Sequence, residues 1–532
     1  MRKLYNYLTK PFKDHLFFLL LFFFLTSSTN AYIWINRQFY YYALYIIAHN
    51  FLISYIITLP LIWIKYNKIS NLYKTIILTI AGIIFILNSF CNLILHNQRY
   101  DDILIIIAGT NMNEAIEYLE SSISINYVLA IIFFSASIFL LYNFIKFIKS
   151  YTENKLKLTG IIFVLIFLVM VIHNPLTYKD ALLGELQTLI QTFTQIQKSP
   201  DLRKYLSNPS LISTQKQHPE NVVMIIGESF NKSHSSLYKY HKETNPLLSK
   251  LKDKNLLFVF DSIRSATTYT IESFQAIMST YKPSYKDSCN WYECTTLPEI
   301  VKLSGYNTYW VSNQSKVGLF DNVVGRYSEL FDTSAFVGDK YAGMRRSNLD
   351  EEIFDLLSPL IKNNLMQKNF YVIHLMGSHV DFNKRYPNSF NKFHSEQYLD
   401  YPKNQRTVLA EYDNSILYND SIVYELMHLY SNKEAIVFYF SDHSIDLFDT
   451  SKDYYGHARK TDSLSIKAGT NIPFMIYASP KYQDKFKDKM ELIKKNLHTQ
   501  YTTDNIIYTI MDIIGVDFKD DMKVYSNSLL SK

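Results

Sequence analysis

The long apolar runs of this chain all lie before about position 172, and that asymmetry constrains its architecture more than any other feature. Five segments stand out, at 16–26, 40–64, 75–95, 127–147 and 158–172. The second, third and fourth are long enough to cross about 30 Å of hydrocarbon. The first and fifth are shorter and need flanking residues to span. A basic start and the small residues Ser27 and Ser28 give the first segment some marks of a signal peptide. Further spans follow it, however, and its cleavage motif is poor. An N-terminal α-helical membrane domain of five spans is therefore predicted over 1–172.

The charges between the runs set the orientation. Arg2, Lys3, Lys10 and Lys13 precede the first run, Lys65, Lys68 and Lys74 follow the second, and Lys146, Lys149, Lys155 and Lys157 follow the fourth. The alternate loops hold Arg37 in one and Arg99 in the other, the latter among Asp101, Asp102, Glu114, Glu117 and Glu120. The positive-inside rule puts the N-terminus in the cytoplasm. Five spans then put everything after about position 172 on the far side. There Cys289 and Cys294, close together in a polar stretch, read as one local disulfide. Cys91, inside an apolar run, reads as a small buried hydrophobe. The chain is only mildly basic, with Lys+Arg 54 against Asp+Glu 48, and much of the excess sits in the membrane loops. Nothing in it points to nucleic acid.

Residues 173–218 read as a linker with helical patches, such as 183–197, lying on the membrane surface. From Asn221 onward, short β-rich runs at 222–226, 256–260, 308–311, 370–375, 435–440 and 473–477 alternate with helical patterns. The helices are expected at 297–304, 351–362, 408–430 and 505–514. Such alternation predicts an α/β domain, with a mainly parallel sheet flanked by helices. In sheets of that kind the ligand site lies beyond the carboxyl ends of the strands.

Four of those ends carry chemistry. The first strand leads into Gly227-Glu228-Ser229, and the second into 261–270, which holds Thr267, Thr268 and Thr270. The run at 370–375 leads into Met376-Gly377-Ser378-His379, and that at 435–440 into Ser441-Asp442-His443, with Gly456-His457 on a following loop. Two carboxylates beside an imidazole form an N/O donor set for a zinc-like ion. A hydroxyl reaching the same ion becomes a nucleophile. Further histidines bind phosphate oxygens or protonate a leaving alkoxide. Thr270, just before the helical-looking 271–280, stands where backbone N–H groups favour a phosphate. Singly, each residue has a plainer reading, as a helix cap, a structural Asp-His pair or a loop histidine. Four such features at successive strand ends outweigh those readings.

The motifs at Asn221 to His234, with Tyr240 and Thr244-Asn245-Pro246 beyond, together with Met-Gly-Ser-His379 and Ser-Asp442-His443, resemble those of the phosphoethanolamine transferases. These enzymes belong to the alkaline phosphatase/sulfatase superfamily, and five spans before the catalytic domain are also their layout. The resemblance implies an inner-membrane protein with a periplasmic, sulfatase-like catalytic domain at 219–532. Glu228, Asp442, His443 and Thr270 would be zinc ligands, with one tight site and room for a second metal. Thr270 would take phosphoethanolamine from phosphatidylethanolamine, releasing diacylglycerol, and hold it covalently. A lipopolysaccharide acceptor, core sugar or lipid A, would then receive it. His379 and His457 would bind the phosphoryl group. Thr110-Asn111-Met-Asn-Glu114-Ala115 resembles a segment near the lipid head group, so Thr110 and Glu114 join the substrate residues.

The nucleophile segment Ala-Thr-Thr-Tyr-Thr270-Ile-Glu-Ser273 lacks the Cys-Gly-Thr flank of the lipid A branch and is closer to the core-heptose branch. Thr267 and Thr268 stand as rival nucleophiles. The nearest competing activity is transfer of another head group, such as glycerol phosphate. A competitor of another class is an inactive membrane protein that binds envelope glycans.

Overall fold

The strand Asn221–Gly227 (β1) is apolar at nearly every position, and such a strand needs cover on both faces. A computed structural model shows what supplies it. The structure describes residues 2–36, 40–93, 143, 153–173, 182, 184, 186–187, 190, 201–285, 289–314, 316, 323–338, 349–363, 368–450, 455–457, 463–519 and 528–530. β1 is the central strand of a seven-stranded sheet that also contains Leu257–Phe260 (β2), Asn307–Ser312 (β3), Thr333–Phe336 (β4), Asn369–His374 (β5), Ala435–Ser441 (β6) and Phe474–Ala478 (β7). The order across the sheet is β2-β7-β6-β1-β5-β3-β4. β7 runs antiparallel to both its neighbours, and the other pairings are parallel.

Alternate residues of each strand enter two separate cores. Val222, Met224 and Ile226 of β1 join Phe370, Val372, Phe438 and Phe440 on one face. Val223 and Ile225 join Tyr371, Ile373, Val437 and Tyr439 on the other. Each fully buried side chain of this size contributes about 1.5–3 kcal/mol, so the sheet's register is strongly specified. The α/β sheet predicted from the sequence is thus present, with all six expected strands displaced by no more than a residue or so at their ends. β4 was not expected: it is four residues long and only Phe336 in it is buried.

Helices flank the sheet. Leu297–Leu303 opens with a capping box in which Thr296 Oγ1 accepts from Glu299 N while Glu299 reaches back to the Thr296 N–H. Lys403–His428, with 26 residues, crosses the second face and buries Tyr412, Asp413, Ile416 and Asp420. Part of the expected linker carries structure of its own, since Leu211–Ser213 pairs antiparallel with Val516–Phe518. Cys289 and Cys294 are disulfide-bonded, as their spacing suggested.

The described residues fall into two compact units that separate between Ile196 and Gln197. The first holds the helices Arg2–Asp14, Leu16–Asn36, Tyr40–Thr58, Asn67–Leu93 and Glu153–His173. Two stretches, Tyr40–Ile62 and Asn67–Ile86, are long and apolar enough to cross a membrane. Leu16–Ser28 and Leu158–Ile172 are apolar but shorter. The predicted span at 127–147 lies, but for Asn143, outside the described residues. Within this unit Asn50 is fully buried: its Nδ2 donates to Thr26 O at 2.8 Å, and its Oδ1 accepts from Leu182 N at 2.9 Å. A buried amide among apolar helices needs such partners.

Candidate functional site

β1 and β6 lie side by side and in register, with Gly227 opposite Ser441. Their carboxyl ends therefore deliver Glu228 and Asp442-His443 to the same place. All three are buried, and one donor atom from each lies within 4.8 Å of the others, a group able to hold a metal ion. Local turns fix each side chain. Ser229 adopts a positive φ of 55°, and its Oγ donates to Glu228 Oε1 at 2.7 Å. Ser441 Oγ accepts from Phe230 N and donates to His443 O, tying the two strand ends together.

The helix Thr270–Ile277 brings the hydroxyl. Thr270 Oγ1 donates to Glu228 Oε2 at 3.1 Å and lies 3.2 Å from His443 Nε2. The rival threonines are placed differently. Thr267 Oγ1 lies 2.8 Å from Ser273 Oγ and donates to Tyr269 O, and Thr268 is buried. Of the three, only Thr270 has hydrogen bonds to the acid–imidazole group among the described contacts.

The acceptors around this point are short of positive charge. His443 Nδ1 faces the Ser444 carbonyl at 2.8 Å, and a carbonyl can only accept, so Nδ1 carries a proton. In the neutral ring Nε2 then presents a lone pair to Glu228 Oε1, 3.0 Å away, and to Asp442 Oδ2 at 3.6 Å. Asp442 Oδ2 is itself buried, with no hydrogen-bond partner within normal geometry among the described residues. Acceptors that face one another need a proton or a metal ion between them. The electrostatics agree. Burial and the like charge of Glu228 push Asp442 up, while His443 is raised against its burial by Asp442 and Glu228. Glu228 goes the other way: burial would raise it, but the charge and hydrogen bond of His443 hold it well below the carboxylate range. One nitrogen and carboxylate oxygens, with a hydroxyl beside them, fit zinc.

His379 and His457 stand around this group. The His457 ring lies 4.9 Å from that of His443 and stacks on Tyr269 at 5.1 Å. Desolvation and the neighbouring His443 push it down to about 3. A charge on His379 would lower Glu228. Its loop approaches so closely that a Cβ on Gly377 would meet Glu228 N at 2.7 Å and O at 2.8 Å, and Gly377 has a φ of +56°. Glycine is needed there on both grounds. Thr110 and Glu114 lie outside the described residues.

One site residue was missed. Gln314 Nε2 donates to Glu228 Oε2 at 3.3 Å, holding the carboxylate from the side opposite Ser229's oxygen. It follows the carboxyl end of β3, an expected strand whose end carries no acid, histidine or threonine to mark it.

Residues 220–516 match the family model described as Sulfatase. The chain belongs to the sulfatase family. Among curated relatives, this sulfatase-family chain is similar to phosphoethanolamine transferase EptC of Escherichia coli strain K12, at 26% identity over 81% of this chain and 78% of that protein. It is also similar to phosphoethanolamine transferase CptA of Salmonella typhimurium, at 25% identity over 80% and 77%. The solved zinc complex of the C-terminal periplasmic domain of EptC from E. coli aligns with a TM-score of 0.54 at 24% identity, covering 61% of this chain and 89% of that one. The integral membrane protein lipooligosaccharide phosphoethanolamine transferase A from Neisseria meningitidis aligns with a TM-score of 0.69 at 17% identity, over 95% and 96%. At those identities the two structures speak to fold, and the second extends the likeness of fold to nearly the whole chain.

Proposed function

We propose that the protein is a zinc-dependent phosphoethanolamine transferase. It takes the group from phosphatidylethanolamine, carries it on Thr270 and passes it to lipopolysaccharide, at a core sugar or lipid A. The observation that supports this best is the placement of the Thr270 hydroxyl, between Glu228 and His443 and beside Asp442, at the mouth of a buried acceptor group. The curated relatives named above are named as phosphoethanolamine transferases.

In the first step Thr270 Oγ1 bonds to phosphorus, and the bond from phosphorus to the diacylglycerol oxygen breaks. The hydroxyl proton leaves toward Glu228 Oε2, to which it already donates. Glu228, Asp442, His443 and Thr270 would hold the zinc. What the metal supplies there is fixed positive charge, which favours the alkoxide over the alcohol and offsets phosphoryl charge. His379 and His457 hold the phosphoryl oxygens, and His379 gives a proton to the departing diacylglycerol oxygen. In the second step the acceptor hydroxyl oxygen bonds to phosphorus from the opposite side as the bond from phosphorus to Thr270 Oγ1 breaks. The acceptor's proton replaces the one given to diacylglycerol, and Thr270 takes back the proton left with Glu228. Thr110 and Glu114 are assigned to the head group, where a carboxylate suits the ethanolamine ammonium.

The same reading places 1–172 in the inner membrane with a cytoplasmic N-terminus, 173–218 as a surface linker, and 219–532 in the periplasm. It is tested by diacylglycerol release from labelled phosphatidylethanolamine, comparing membranes with wild type and Thr270→Ala. Release by wild type only is the expected result, with Thr267→Ala and Thr268→Ala still active. Equal release by Thr270→Ala overturns the nucleophile. No release from wild type that still holds zinc points to another head group, such as glycerol phosphate, and absence of zinc points to an inactive glycan-binding protein.

A further inference from the structure

The loop that carries His379 is held by two buried charged side chains, one at each end. Asp350, 3% exposed, opens the turn Asp350–Glu352 before the helix Ile353–Asn363. Its Oδ1 accepts from Met376 N at 2.7 Å, and its Oδ2 from Gly377 N at 2.9 Å. Arg385, 4% exposed, takes the other end of the loop: Nε donates to His379 O at 3.3 Å and Nη2 to Val380 O at 3.0 Å. The carboxylate thus sits on the amide N–H groups and the guanidinium on the carbonyls. Between these ends Ser378 N donates to Glu228 O at 3.0 Å. Asn313 Nδ2 donates to Asp350 Oδ1 at 2.7 Å, joining the segment after β3 to the same carboxylate. Arg385 also opposes the burial that raises Asp350, so the two side chains interact across the loop.

We propose that Asp350 and Arg385 are a positioning pair that holds His379 against the Glu228 site. The role assigned to His379 rests on the functional reading above; the clamp itself rests on these contacts. Among the described contacts neither residue touches the acid–imidazole group, so their effect on transfer runs through the backbone of 376–380. Charge-assisted hydrogen bonds to backbone groups are among the stronger ones a fold can make. Two of them at each end leave the loop little freedom. A misplacement of about 1 Å at a substrate-binding group is enough to cost about 100-fold in rate.

The test uses the full chain in detergent, with Asp350→Asn as the variant. Asparagine keeps the shape but turns a donor toward the Met376 or Gly377 N–H. Hydrogen exchange followed by mass spectrometry should show amides in 375–380 exchanging at least about 10-fold faster, with those of Ala435–Ser441 unchanged. Transfer should fall about 100-fold with zinc content retained. In a His379→Ala background the same substitution should cost no more than about 2-fold, because its effect has already been removed. Unchanged exchange at 375–380 overturns the clamp, and so does a penalty that multiplies in full with that of His379→Ala. If Asp350→Asn does not accumulate as folded protein, Arg385→Lys carries the same readouts with smaller expected changes. Wild type that releases no diacylglycerol would sink the functional reading, while the exchange experiment would still decide the clamp.

Discussion

At the scale of single residues, the site depends on converging acceptors suited to a cation and on a glycine that cannot be replaced. Glu228→Gln and Asp442→Asn each remove a charge that the donor set needs, and metal analysis of purified protein should show zinc falling well below one per chain. Gly377→Ala places a methyl within 2.8 Å of the Glu228 backbone at a positive φ. It should lower the unfolding free energy by about 1–3 kcal/mol and remove most transfer activity, read by thermal denaturation and a product assay. Glu228 and Asp442-His443 were legible in the sequence because each follows an apolar run that could only be a buried strand. The choice among three threonines was less so, because Thr267, Thr268 and Thr270 differ in which way a turn and a helix start aim them. Asp350 and Arg385 were invisible: they act through hydrogen bonds to backbone more than 25 residues away in one case, and nothing in their local sequence marks them.

At the scale of elements, the helix Thr270–Ile277 is positioned by the turn Thr503–Asn505. Ala266 N donates to Thr503 Oγ1, and the ammonium of Lys282, 3% exposed, donates to Asp504 O at 2.6 Å and Asn505 Oδ1 at 2.7 Å. Burial pushes Lys282 down to about 8, with Asp504 opposing it. The folded state therefore holds this proton less tightly than the unfolded chain does. The charged form costs stability at neutral pH, and that cost is relieved as pH rises from about 8 toward the ordinary value near 10.4. Wild type should gain on Lys282→Met by up to about 1.4 kcal/mol per pH unit across that window, measured by denaturant unfolding. A difference that stays flat from pH 8 to 10 would contradict it. The apolar strands were readable from burial alone, whereas β4 was not, since Thr333, Ser334 and Ala335 carry no strong pattern. The helices Pro480–Lys485 and Lys487–Lys495 were missed for the same reason, being short and mostly polar.

At the scale of the whole molecule, the two units should respond separately to loss of metal. Ligand binding to the folded state alone stabilises it by about 2.7 kcal/mol at a hundredfold excess over Kd. Chelation should therefore lower the melting temperature of the unit from Gln197 onward, and leave the helical unit's circular dichroism unchanged. β1 lies between β5 and β6, so Asn221 pairs with Asn369 on one side and Ala435 on the other. Synthesis at roughly 5–20 residues per second makes Glu228 about 10–40 s before Asp442 exists. Until β5 is made this apolar strand has two open edges, and until β6 is made it keeps one, which makes it a natural client for a chaperone. A metal held by Glu228, Asp442 and His443 could not be loaded during most of synthesis either: the ion would have to arrive after Asp442 and His443 are made, as one of the last parts fitted.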